Sequence, residues 1–223
     1  MITLSKKISL YKTTADDQLA RLGIPANQMD VAIVLDASKS MFADYKEGRV
    51  QELLEKIFGL SMALDRDASL DVFLFGNESV QLKSIDVGSL DGYVEREIIG
   101  SHKINQATNY AKAIECVNNS YFGRKDATFV IFITDGDASD KSHTKAWIHQ
   151  VCRCPYYFQF VGIGNEKFNF LEKLDELPDR AVDNCGFVRA EDVFHMTEEA
   201  LYQGILAELP TWLEEARRRK WIA

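Results

Sequence analysis

The sequence contains no apolar run near the roughly 18–20 residues that a bilayer-spanning helix requires. Its start, Met1-Ile2-Thr3-Leu4-Ser5-Lys6-Lys7-Ile8, lacks the basic opening and apolar stretch of a secretory signal. Both absences lead to the expectation of a cytoplasmic chain with no membrane partner. Cysteine is scarce. The four residues, Cys116, Cys152, Cys154 and Cys185, include no CxxC pair, so free thiols in a reducing compartment are expected. A zinc site built from His149, Cys152, Cys154 and Cys185 would lack the paired ligand spacing such sites use. Only 4 prolines and 13 glycines occur, which leaves little room for a disordered linker. Positive charge is also in deficit, with 26 Lys and Arg against 34 Asp and Glu, a formal net charge of −8. Phosphate backbones repel such a chain, so nucleic acid is not an expected partner. The one dense basic run, Arg217-Arg218-Arg219-Lys220, reads as a solvated helix end whose cations offset the helix dipole, with nucleic acid or anionic lipid as the alternative. No G-x-x-x-x-G-K-[ST] loop occurs, and Gly162-Ile163-Gly164 lacks the third glycine of a dinucleotide fingerprint.

What is present is ordinary globular material: 223 residues, 46% hydrophobic and 27% charged, enough for one α/β domain with modest additions. Residues 1–29 form the least regular part. Ile2 to Tyr11 alternates loosely, as a strand or arm would, and Ala15 to Leu22 suits a short helix closed by Gly23 and Pro25. From residue 30 to 223 strands and helices alternate. Residues 31–35, 70–75, 129–133 and 156–163 are short apolar runs of the kind buried on both faces of a parallel sheet. Residues 79–85 follow the Gly76-Asn77 turn and suit an antiparallel edge strand, and 181–188 a further edge strand. Helical spacing covers about 49–65, 108–120, 141–152 and 168–177. It then runs from Ala200 to Ala216, where Pro210 should kink or divide the helix. This alternation predicts a three-layer fold: a mostly parallel central sheet with one antiparallel edge strand and helices on both faces.

In such folds ligands sit beyond the C-terminal ends of the strands. Two clusters stand there. Asp36-Ala37-Ser38-Lys39-Ser40 follows the first buried strand, and Thr134-Asp135-Gly136-Asp137 follows the most apolar later one. All the donors are hard oxygens, which suit Mg²⁺, Mn²⁺ or Ca²⁺ rather than zinc or copper. Serines two apart in a loop can turn both hydroxyls to one point, and Asp36 and Asp135 must supply the compensating charge.

D-x-S-x-S after the first strand, Thr108 in a later loop and Asp135 after a central strand resemble the metal-ion-dependent adhesion site of von Willebrand factor A domains. The resemblance spans about residues 30–215. The stretches Ser89-Leu90-Asp91-Gly92-Tyr93-Val94-Glu95-Arg96-Glu97-Ile98 and Thr108-Asn109-Tyr110-Ala111 are similar to the bacterial branch found in tellurium-resistance, TerF-like proteins. The resemblance implies a metal site of Asp36, Ser38, Ser40, Thr108 and Asp135, with Mg²⁺ the first expectation and Mn²⁺ or Ca²⁺ the others. Ser38, Ser40 and Thr108 would ligate through hydroxyls, and the two aspartates would act largely through water. An open position would then take a Glu or Asp carboxylate from a protein partner. It also implies a bacterial stress-response setting and a binding module rather than an enzyme. Two positions depart from the family: Lys39 stands where glycine is common between the serines, and Gln106-Ala107 stands where Gly-Gly precedes the threonine.

Two other readings compete. A metal-independent interaction scaffold would keep the fold with a degenerate site. A haloacid-dehalogenase-like phosphatase would use Asp36 as nucleophile, but its acid/base position holds Ser38, and nothing in the sequence brings Asp137 to the reacting centre.

Overall fold

The computed structural model of the chain describes residues 3–101, 107–190 and 192–222. It opens with helix α1, Leu4–Leu22. Then follow β1 (Met29–Asp36), α2 (Phe42–Lys46), α3 (Arg49–Leu64), β2 (Asp71–Phe75) and β3 (Ser79–Gln81). A π-helical segment spans Val94–Ile99, and α4 spans Tyr110–Tyr121. The remaining elements are β4 (Ala127–Thr134), α5 (Lys141–Val151), β5 (Tyr156–Ile163), α6 (Asn169–Asp175), β6 (Cys185–Ala190), α7 (Glu198–Ile205) and α8 (Leu209–Arg218).

The six strands form one sheet in the order β3-β2-β1-β4-β5-β6. β2, β1, β4, β5 and β6 run parallel, and β3 pairs antiparallel with β2. The expected architecture is therefore the observed one. The expected 79–85 strand is shorter: regular pairing stops at Gln81, and a single bridge joins Leu70 to Ile85.

Side-chain alternation along the strands builds two cores. Val31, Ile33 and Leu35 of β1 face one layer, with α1, α3, α7 and α8 packed over them. Ala32 and Val34 face the other, with Phe73, Phe75, Phe132, Phe158 and Phe160 beneath α4, α5 and α6. Strands buried on both faces carry near-continuous apolar sequence, which is why β1, β4 and β5 read so directly.

The N-terminal segment departs from the expectation of a strand or arm over residues 2–11. Helix α1 starts at Leu4, capped by the Thr3 hydroxyl, and ends at Gly23, whose φ of 67° suits a residue without Cβ. Its buried side chains are Ile8, Tyr11, Ala15, Gln18 and Leu19. That spacing is helical, and it wins because this stripe has an apolar surface on α3 to cover. Gly59 of α3 faces Tyr11 at the crossing, and a Cβ there would stand 2.4 Å from the Tyr11 Cβ. Pro210 divides the last helical stretch as expected and lies in the first turn of α8, where its missing N–H costs no helical bond.

Candidate metal centre

The strand order reverses at β1. The chain leaves β1 toward β2 on one side and later returns to place β4 on the other. A crevice between β1 and β4 beyond their C-terminal ends follows from that topology. Register sets the two ends level, with Leu35 opposite Ile133. Asp36 and Thr134 then stand side by side, and Asp135 follows.

Asp36 is completely buried. One carboxylate oxygen accepts the Ser38 N–H at 2.7 Å, and the other accepts the Thr134 hydroxyl at 2.7 Å. The Tyr45 hydroxyl holds the Asp36 carbonyl at 2.9 Å. Burial pushes the Asp36 carboxyl up to about 6. The hydrogen bonds from Thr134 and Ser38 oppose that rise, and the charge of Asp135 adds to it. A buried carboxylate of this kind gains from a nearby dication, because the cation offsets both the lost hydration and the repulsion.

The Asx-type turn at Asp36 directs Ser38 inward. The Ser38 and Ser40 hydroxyls lie 3.1 Å apart, and Ser38 Oγ lies 3.3 Å from an Asp135 carboxylate oxygen. Four of the five expected residues, Asp36, Ser38, Ser40 and Asp135, are thus linked in one hydrogen-bonded cluster. Its donors are hard oxygens, matching Mg²⁺, Mn²⁺ or Ca²⁺. Among the described residues there is no group of three or more His, Cys, Asp or Glu side chains able to hold a metal, so the cluster depends on its serines.

Thr108 is brought to the same end of the sheet by its backbone. Its carbonyl accepts the Ser139 N–H and hydroxyl, both at 2.9 Å, while its own half-buried hydroxyl makes no hydrogen bond among the described residues. Gln106 and His102 lie outside the described residues. Lys39 is exposed and forms no ion pair among the described residues. Ala107, at the other departure from the family pattern, is exposed and donates its N–H to the Asn77 side chain at 3.1 Å.

Three supporting groups carried no specific role in the sequence reading. Thr134, placed in the cluster after the strand, is the last residue of β4 and the hydroxyl donor to Asp36. Tyr110, fully buried, donates to the Thr134 hydroxyl at 3.1 Å and to the Gly136 carbonyl. Asp140 accepts the Tyr110 and Ala111 N–H groups at 3.0 and 2.9 Å, so it caps α4 from the loop after β4 and fixes the chain just after Thr108. The signal for Asp140 was a carboxylate shortly after Asp135, but its target was thirty residues away. Asp137, the imagined acid/base, is instead tied to Lys141 at 2.9 Å and to the Phe170 N–H.

The cysteines are engaged elsewhere. Cys152 donates to the His149 carbonyl and accepts from the Ala181 N–H. Burial pushes the Cys185 thiol up to about 12. Among the described residues no helix is long and apolar enough to cross a membrane.

Comparison with known proteins agrees with this fold. The family described as "vWA found in TerF C terminus" matches residues 28–222. The Bacillus subtilis (strain 168) protein YcbR is 34% identical over 220 residues, covering 96% of this chain and 86% of its own. Manganese-loaded TRAP protein of Plasmodium vivax superposes with a TM-score of 0.53 at 20% identity, over 73% of this chain and 69% of that one. Proximal thread matrix protein 1 of the mussel byssus, with a zinc-occupied MIDAS motif, gives 0.51 at 15% identity, over 89% and 51%.

Proposed function

Because the chain belongs to the von Willebrand factor A domains of the kind found at the TerF C terminus, we propose that it is a metal-dependent protein-interaction module. Asp36, Ser38, Ser40, Thr108 and Asp135 hold one divalent cation, Mg²⁺ in the first instance and Mn²⁺ or Ca²⁺ otherwise. The observation that carries this reading is the meeting of the Ser38 hydroxyl with Ser40 at 3.1 Å and Asp135 at 3.3 Å, beside the buried Asp36 carboxylate. Manganese in the Plasmodium vivax protein and zinc in the mussel protein support a cation in such a fold.

The chain's own residues explain why such a cation would bind rather than catalyse. Neutral hydroxyls leave it electron-poor, so a Glu or Asp carboxylate of a partner protein is the ligand that completes it. Asp36 and Asp135 supply the charge that retains it. The module serves a cytoplasmic, bacterial stress-response system of the tellurium-resistance type, with residues 30–223 as the binding domain and residues 1–29 as its N-terminal addition. It is not an enzyme in this reading.

The test is a pull-down from cell extract. Partners should be lost in EDTA, return with excess Mg²⁺, and be absent with Asp135→Ala. Partners that persist in EDTA and in the variant alike would transfer the function to a metal-independent scaffold.

A further inference from the structure

The opposite end of the sheet gathers side chains of inverted charge. Arg153 lies just before β5, Arg180 just before β6, and Arg219 just past α8. Because β1, β4, β5 and β6 are parallel, these positions lie at the N-terminal ends of the strands, away from Asp36 and Asp135. There the three arginines, with Ala181 and Trp221, line a cavity of about 580 Å³.

The guanidiniums differ in how they are held. The Arg180 side chain is only 5% exposed. The Leu177 carbonyl at 2.8 Å, the Asp175 carbonyl and the Asp183 carboxylate at 2.7 Å fix it. Arg219 pairs with Glu215 at 2.6 Å and lies over the Trp221 ring at 5.5 Å. Arg153 is exposed and has no hydrogen bond or ion pair of its own among the described residues. The carboxylates facing the three are Asp183, itself 67% exposed, Asp175, which Arg180 also faces, and Glu215, which Arg218 shares. Asp183, Asp175 and Glu215 offset Arg180 and Arg219, and Arg153 leaves one positive charge without a carboxylate partner among the described residues, on a chain whose net charge is −8. One cation is locked, one is braced on an indole and one is unspent.

We propose that this cavity binds a phosphate monoester group, with Arg180 as its rigid floor and Arg153 and Arg219 closing on the oxygens. Guanidinium forks match phosphate geometry, and two or three in one cavity distinguish it from the exposed arginines scattered over the surface. The tryptophan supplies a flat apolar wall for whatever carries the phosphate. The basic run at the end of α8 thereby contributes Arg219 to a site as well as neutralising a helix terminus. This inference does not depend on the metal centre.

Inorganic phosphate is the first probe, added to the full chain in EDTA so that no cation at the other end of the sheet can bind it. Melting temperature and tryptophan fluorescence are read against chloride at matched ionic strength. Phosphate should raise the melting temperature and change the fluorescence beyond the chloride effect. Arg153→Gln and Arg219→Gln should each weaken its affinity by about tenfold, the scale of one charge-assisted hydrogen bond. Arg124→Gln, paired to Asp30 elsewhere, should leave it unchanged. Arg153 holds nothing else in place, so its variant folds and carries the test alone if Arg219→Gln does not. A wild-type response no larger than that of chloride, or equal affinity in the Arg153 variant, would overturn the site. Sedimentation with phosphatidylcholine vesicles containing phosphatidic acid then separates the sources. Arg153-dependent pelleting assigns the phosphate to a lipid headgroup, and its absence alongside phosphate binding assigns it to a small molecule.

Discussion

Gly59→Ala should loosen the molecule although alanine is the better helix former. Gly59 lies in the middle of α3, and an added Cβ would meet the Tyr11 Cβ at 2.4 Å and the α1 backbone at 3.2 and 3.3 Å. Ordinary contact begins near 3.4 Å, so α1 must move away by about 1 Å, and no rotamer change relieves a clash with backbone. That movement opens a seam along Ile8, Tyr11, Ala15 and Leu19. Helix propensity returns up to about 1 kcal/mol, and overpacking costs about 1–3 kcal/mol. With that gain subtracted in full the net loss reaches about 2 kcal/mol, or roughly 4–8 °C in melting temperature for a chain of this size. Gly204→Ala is the matched control. It lies in α7, and its new Cβ would meet only Val188 at an ordinary 3.5 Å, so it should gain up to about 1 kcal/mol. Both are read by thermal melting, with limited proteolysis of residues 4–22 as a second probe. If both variants gain stability alike, α1 does not dock on Gly59, and its inclusion in the folded core is wrong.

Thr134→Val keeps the shape of the strand end but removes the hydroxyl that donates to Asp36. It should lower stability by about 1–3 kcal/mol in chemical denaturation. Asp140→Ala removes the cap on α4, so it should cost about 0.5–2 kcal/mol and weaken Mg²⁺ affinity in calorimetry through the Thr108 loop. Asp175 is pushed up to about 6 by burial, then by Glu208 and Asp183. Below its ordinary value of 3.8 both folded and unfolded chains hold its proton. As pH climbs toward 6 the unfolded chain releases it first, so stability falls across that window. Asp175→Asn should shallow this slope in melts taken from pH 4 to 7, leaving the part that Asp36 contributes, with a gain at pH 7 held to about 1 kcal/mol by solvent screening.

The parts legible in sequence were those whose cause is local. β4 is an unbroken apolar run because both its faces are buried, and Asp135 is found by counting to its end. Ser38 and Ser40 share a loop, so their meeting follows from spacing. Residues 4–11 were misread because their loose apolar–polar alternation masks the helical stripe of Ile8, Tyr11 and Ala15, whose partner surface at Gly59 lies some fifty residues away. The supporting roles of Thr134 and Tyr110 were hidden for the same reason. Only the β1–β4 register and the packing of α4 reveal that one hydroxyl feeds Asp36 and that another feeds Thr134. The π-helical segment at Val94–Ile99 carries no periodic signature distinct from an ordinary helix.

The most direct test of the metal centre compares Mg²⁺ titrations of the wild type and Asp135→Ala by thermal melting. Asp135 is part-exposed and its Ser38 contact spans 3.3 Å, so its loss should leave the cation-free fold intact. At a hundredfold excess over the dissociation constant, Mg²⁺ should stabilise the wild type by about 2.7 kcal/mol, roughly 5–11 °C, and should not shift the variant. A wild type indifferent to Mg²⁺, Mn²⁺ and Ca²⁺, or a variant that responds as the wild type does, would contradict the account.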